Sequence, residues 1–309
     1  MPTRMVDQKT LSTRAWAELL LLSVIWGGSF LSIRFALDEV PVLTAVAHRV
    51  FWAMLVLWAY VLIRKMTVPR TARIWTAFLV MGLLNNAIPF SLMAWGQLHI
   101  ETGLTSILNA ATAIFGVIVA AAVFADERIT PRRILGVVLG FLGVATAIGL
   151  ENLAQFDIRS TAQLAVLAGT LSYAFAGAWA RKTLSDLAPQ VAAAGMLTGS
   201  TLVLIPLSVF IDGPPDFSLS VKAWGAIGYY SIIATAVAYL LYYRILSVAG
   251  SGNLMICTLL VAPIAILLGA IVLGEELQPQ AYFGFALLVA GLMVLDGRIF
   301  HLMRRRPLA

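Results

Sequence analysis

The sequence predicts an all-α integral membrane protein: ten transmembrane helices arranged as two inverted five-helix repeats. Three observations carry this. Of 309 residues 61% are apolar and only 12% charged, with a mean hydropathy of +0.92, leaving too few polar groups to coat an ordinary globule of that size. Apolar runs of about 20 residues, the length of a helix crossing a hydrocarbon layer, fall near 15–36, 44–63, 73–96, 101–124, 132–149, 161–180, 189–211, 221–243, 250–273 and 279–299. A shift of 148 positions lays Glu127, Pro131, Gly136, Leu139, Gly143 and Gly149 on Glu275, Pro279, Gly284, Leu287, Gly291 and Gly297, and Arg34, Asp38 and Pro41 on Lys182, Asp186 and Pro189, without a gap.

Run length separates helices from the alternative, since a barrel strand needs only about ten alternating residues. The repeat units are 15–149 and 161–299, joined by a polar linker with Glu151, Asn152, Gln155 and Asp157. Five is odd, so the second copy enters the membrane from the opposite side. Inverted copies are a recurring plan for carriers, because exchanging their conformations turns an inward-open shape outward. The first run follows Arg4, Lys9 and Arg14 but is too long for a secretory signal and leads a series of similar runs, so it reads as a retained helix.

Seventeen of the 21 Lys and Arg residues fall in the N-terminus, the C-terminus and alternate connections. This bias places both termini in the cytoplasm of a multi-pass protein of the cell inner (plasma) membrane. It also accounts for the net charge of +6 without nucleic acid, which would require a basic stripe on one face. The lone cysteine, Cys257, permits no intrachain disulfide and no cysteine metal cluster.

Along the chain, the first helix carries Trp26-Gly27-Gly28-Ser29 near its centre. Small residues there let another backbone approach, and Trp26 is too deep for an interfacial belt. Arg34 and Asp38 stand four apart at its outer end, the spacing of an ion pair on one face. In the second helix Arg49 lies roughly 8 Å inside the outer end at the helical rise. Gate or counter-ion competes there with snorkelling and structural pairing, and neighbouring His48 is either a proton group or a packed neutral imidazole.

The third helix holds Asn85 and Asn86 at its midpoint, followed by Pro89, which in α-helical register frees the carbonyl of Asn85. Adjacent amides face different directions, so at least one meets other helices or a cavity. The fourth helix places Ser106, Asn109, Ala113 and Gly116 on one face. The fifth and tenth, rich in glycine and nearly devoid of polar groups, read as packing or dimer elements, leaving monomer and homodimer open. Ser172 and Tyr173 in the sixth helix, Thr198 to Thr201 in the seventh, Tyr229, Tyr230, Thr235 and Tyr239 in the eighth, and Asn253 and Thr258 in the ninth continue the polar line. Trp16, Trp75, Trp95, Trp179, Trp224, Tyr242, Tyr243 and Tyr282 lie near run ends, where an aromatic belt explains them.

Candidate substrate contacts are thus Trp26, Ser29, Asn85, Asn86, Asn109, Ser172, Tyr173, Tyr230 and Tyr239, with Arg34, Asp38, His48 and Arg49 as gate or ion-pair residues. No run has Asp or Glu near its centre, so a midplane carboxylate relay for proton coupling is missing. A small solute with internally balanced charge suits such a lining. No cofactor or metal is expected. His-Glu-x-x-His and Gly-x-Ser-x-Gly are absent, which weighs against a membrane-embedded enzyme.

The paired five-helix copies, Trp26-Gly27-Gly28-Ser29-Phe30, Pro41 with Arg49, and Glu127…Pro131…Gly136…Gly143 matched by Gly274-Glu275…Pro279…Gly284…Gly291 resemble the EamA-type exporters of the drug/metabolite transporter superfamily. The tyrosine-rich interior is similar to that of the YddG-like exporters of aromatic amino acids. The resemblance implies a cavity lined by helices one to four and six to nine, with five and ten outside it. It also implies export of amino acids or related metabolites, with efflux of drugs or toxic compounds as the alternative. Phe115 opposite Pro263, and Leu197 opposite Arg49, mark where the copies differ.

Overall fold

The computed structural model describes residues 12–125, 130–148, 158–249 and 251–296. Glu127 and the linker's Glu151, Asn152, Gln155 and Asp157 lie outside the described residues, as do the side chains of Asn253 and Thr258. Helices follow one another along the chain: α1 Thr13–Ala36, α2 Val42–Ile63, α3 Ala72–Gly96, α4 Thr102–Val123, α5 Pro131–Ile148, α6 Ile158–Thr183, α7 Pro189–Ile211, α8 221–249, α9 251–273 and α10 Pro279–Asp296. There is no strand among the described residues.

Local chemistry sets the ends. The Ser12 hydroxyl accepts the Ala15 N–H at 3.2 Å and that of Ser220 accepts the Ala223 N–H at 3.1 Å, each occupying a donor that a first turn leaves free. Pro131, Pro189 and Pro279 each open a helix, where the missing N–H costs nothing. After α9 the chain turns through Gly274 at φ 66°, a left-handed conformation that suits glycine.

Among the described residues six helices, α1, α2, α3, α4, α7 and α8, are long and apolar enough to cross a membrane. Large apolar side chains such as Leu21, Leu62, Phe210, Leu267 and Phe283 stand exposed around the bundle, a surface that water would penalise and lipid would not. Inside, the main helix pairs join one repeat unit to the other: α5 with α10, α2 with α7, α1 with α9, α3 with both α6 and α7, and α4 with α6. The units are therefore interleaved rather than set side by side as separate domains.

The α5–α10 pair shows how the copies relate. A Cβ on Gly136 would lie 2.6 Å from Leu295, and one on Gly140 would press on Ile114 of α4. On Gly143 it would meet Leu288 and Gly284, on Gly284 Ala147, and on Gly291 Gly140 and Gly136. Positions rising along α5 meet positions falling along α10, so these equivalent helices pack antiparallel. Backbones approach so closely because both carry glycine at the crossing. The helices read as packing or dimer elements thus spend their glycine faces on one another. A second shared feature is a π-helical segment in the third helix of each copy, Leu83–Ala87 in α3 and Tyr229–Val237 in α8. The 148-residue shift places the first inside the second.

Candidate functional site

The π-helical turn of α3 organises the interior. Its register runs from residue i to i−5, as in the Ile88 N–H bond to the Leu83 carbonyl. The donor that Pro89 lacks therefore falls on Leu84, not on Asn85 as an α-helical register would have it. The Ser172 hydroxyl of α6 fills that place, donating to the Leu84 carbonyl at 2.7 Å.

The same widening sends two adjacent amides into one network. Asn86, fully buried, donates through Nδ2 to the Ser200 hydroxyl at 2.8 Å. That hydroxyl lies 3.1 Å from the Gly82 carbonyl and 2.9 Å from that of Met196, capturing both backbones where Gly82 lets α7 pass. The Tyr239 hydroxyl of α8 donates to Asn86 Oδ1 at 3.2 Å and accepts from Asn85 Nδ2 at 3.3 Å. Asn85, Asn86 and Tyr239 thus close a hydrogen-bonded triangle between the copies, with Asn85 and Tyr239 only half-buried.

Arg49 is held next to it. Its Nε donates to the Thr235 hydroxyl at 3.1 Å, and its guanidinium stacks on Phe90 with Cζ 3.9 Å from the ring centroid. Thr235 can accept because its own proton goes to the Tyr230 carbonyl at 2.7 Å, five residues back in the π register of α8. Tyr230, fully buried, donates to the Ala45 carbonyl of α2 at 3.1 Å. The phenols of Tyr173, Tyr239 and Tyr230 lie around Arg49. Tyr173 also meets Phe90 edge-on, with centroids 6.4 Å apart.

Trp26 and Ser29 occupy the far side of α8. The Trp26 indole donates to the Ala234 carbonyl at 3.2 Å, and the Tyr229 hydroxyl donates to the Ile25 carbonyl at 3.1 Å. Gly28 makes room for that phenol, since a Cβ there would lie 2.6 Å from its oxygen. Ser29 turns its proton back to the Trp26 carbonyl at 2.7 Å. Tyr242 and Tyr243 lie near the end of the apolar span Val221–Ile245, and both also touch interior rings, Tyr242 against Trp26 at 5.8 Å and Tyr243 against Tyr239 at 6.4 Å. Sequence reading also gave no role to Phe90 or Ser200, whose signals were only their places beside Pro89 and in a hydroxyl run.

Other candidates lie apart from this cluster. Arg34 pairs with Asp38 at 3.0 Å, and Lys222 reaches the other Asp38 oxygen at 3.2 Å, all at an exposed helix end. His48 is buried, accepts the Trp52 indole N–H at Nδ1 over 3.1 Å, and is boxed by Trp52, Trp224 and Phe217. Asn109 ends the first half of α4, which breaks at residues 110–111 and restarts at Thr112. The three-and-four spacing from Ser106 to Gly116 is therefore interrupted. Asn109 Oδ1 and Ser106 Oγ are buried without a partner.

Carboxylates tie the copies together at the bundle end where α1 and α7 finish. Asp212 accepts the Thr44 backbone N–H and hydroxyl, both at 2.8 Å, capping α2. Glu39 accepts the hydroxyl of Ser220 and its N–H at 2.8 Å, and these two bonds, the hydroxyl's first, hold its carboxyl below the ordinary range. Glu275, one of the repeated acids, accepts the N–H groups of Thr102 at 2.9 Å and Gly103 at 3.2 Å, a carboxylate on the N-terminus of α4. Arg159 pairs with Glu101 beside it at 2.7 Å.

An all-helical bundle with apolar outer faces and an inner line of amides, phenols and one guanidinium defines a membrane transporter. The chain belongs to the EamA-like transporter family, whose model matches residues 15–149 and 160–295. It is 30% identical over 301 residues to a protein of Streptantibioticus cattleyicolor named a probable terminal-alkyne amino-acid exporter, covering 96% of this chain and 97% of the other. It is 24% identical to a probable amino-acid metabolite efflux pump of Salmonella typhimurium, covering 89% and 92%. A solved crystal structure superposes with a TM-score of 0.66 over 93% of this chain and 98% of its own, at 16% identity, a likeness of fold alone.

Proposed function

We propose that the protein is a secondary carrier exporting small metabolites, foremost neutral amino acids, from the cytoplasm across the inner membrane by alternating access. In this reading all ten helices span the bilayer as two inverted units, with both termini cytoplasmic. The triangle of Asn85, Asn86 and Tyr239 carries it: a polar contact between copies, deep inside the bundle, at the π-helical turns where each copy's third helix is widest. Rocking one copy against the other would open and remake that contact around a solute. The antiparallel α5–α10 pair supports the inverted arrangement, and the names of the relatives support the substrate class. In this reading the carboxylate caps that join α1, α2, α7 and α8 close the outer end.

The test is counterflow in proteoliposomes. Vesicles loaded with an unlabelled neutral amino acid should accumulate its radiolabelled form transiently, with saturation, and competition by other amino acids should exceed competition by cationic drugs. Drugs alone eliciting counterflow would move the protein to the efflux class. Non-saturating flux would make it a pore.

A further inference from the structure

Resting on the carrier reading above, we propose that Arg49, with the Tyr173 hydroxyl, is the binding site for the carboxylate of the transported solute, and that the protein selects carboxylate-bearing ligands by it. The guanidinium is fixed on two sides. Nε is committed to Thr235 at 3.1 Å and one face is committed to Phe90 at 3.9 Å. Its outer edge, the two Nη groups, has no acceptor among the described residues. That edge is the fork that pairs with a carboxylate through two parallel hydrogen bonds, and fixing the rest of the plane removes much of the ordering cost.

The surroundings favour an anion. No Asp or Glu pairs with Arg49 among the described residues, and its neighbours include the phenols of Tyr173, Tyr239 and Tyr230. Tyr230 spends its proton on the Ala45 carbonyl and Tyr239 spends its own on Asn86, whereas the Tyr173 hydroxyl has no partner among the described residues. Two donor groups without acceptors among the described residues therefore border the same ring, Phe90. Arg49 and Tyr173 are also half-buried rather than sealed, although side chains of α2, α3, α6 and α8 surround them. A cation inside a bundle without a countercharge is costly, and an anionic ligand group relieves that cost on entry. Leu197 occupies the equivalent position in the other copy, so the solute has one charged anchor and a fixed orientation.

The experiment is ligand protection of the purified full-length protein against heat, which reads binding whether or not the ligand is transported. The probes are phenylalanine, 3-phenylpropionate, phenylalaninamide and phenethylamine, with the matching leucine set. The two acids of each set should protect, and the amide and amine should need about 10- to 100-fold higher concentration, the worth of a hydrogen-bonded charge. Arg49→Gln should weaken the acids by a similar factor while leaving the unliganded melting temperature near wild type. Arg49→Lys should retain part of the affinity, and Tyr173→Phe should lose less than Arg49→Gln. Equal protection by acids and amides, undiminished protection of Arg49→Gln, or no protection by any acid would overturn the assignment. Protection by 3-phenylpropionate and phenylalanine without counterflow of any amino acid would instead retain the site and remove the carrier reading.

Discussion

The hydroxyl of Tyr239 in the second copy donates to the side-chain oxygen of Asn86 in the first at 3.2 Å. The two residues are 153 apart in sequence; Asn86 sits in the π-helical turn of α3 and Tyr239 two residues beyond the π-helical segment of α8. Asn86 is fully buried while Asn85 and Tyr239 are half-buried, so only the latter two retain exposed surface.

Asn86→Ala should therefore act on stability. It removes the bond to Ser200 and the acceptor of the Tyr239 proton, at about 0.5–1.5 kcal/mol for each hydrogen bond lost, and a thermal melt in detergent should show a clear fall. Asn85→Ala should melt close to wild type but lose most of its counterflow. Equal melting of both variants would remove the distinction.

Gly284 meets the backbone of the opposite copy, where a Cβ would lie 2.3 Å from the Ala147 nitrogen and 2.5 Å from the Gly143 oxygen. Gly284→Val should force α5 and α10 apart at about 1–3 kcal/mol or more, lowering both yield and melting temperature. Gly225→Ala, with nothing within 4 Å, should be neutral or gain up to about 1 kcal/mol from helix propensity.

How far the sequence went follows from what each feature depends on. Helix positions depend on local hydropathy, and the run at 189–211 coincides with Pro189–Ile211, while 15–36 falls two residues short of Thr13–Ala36. Interior polarity was legible as well: Asn85, Asn86, Ser172, Tyr173, Tyr230, Tyr239 and Arg49 all meet around the π-helical turns. Register was not. A π-turn is fixed by neighbours such as Ser172 and Ser200, which lie far off in sequence, so the freed carbonyl was misplaced by one residue. The break at 110–111 follows no Gly or Pro, and the ring contacts of Tyr242 with Trp26 and of Tyr243 with Tyr239 have no signal in local hydropathy. The caps by Glu39, Asp212 and Glu275 join loops that only the fold brings together.

Glu39 supplies a pH signature. The hydrogen bonds from Ser220 hold its carboxyl below the ordinary value of 4.5, so its contribution is complete above that value and is lost as pH falls through the lower folded value. Wild type should therefore melt higher than Glu39→Gln by a constant margin from pH 7 to 5.5, and the margin should shrink below pH 4.5. A margin that grows on acidification would contradict the bond pattern.

The central claim, two copies facing opposite ways across one bilayer, is tested most directly at Asp38 and Asp186, equivalent under the 148-residue shift and both exposed. Single cysteines there, in a chain with Cys257→Ala, should react with a membrane-impermeant maleimide from opposite sides: Asp38→Cys in intact cells, Asp186→Cys only after the membrane is opened or inverted. Labelling of both from the same side would contradict the inverted arrangement and the carrier mechanism built on it.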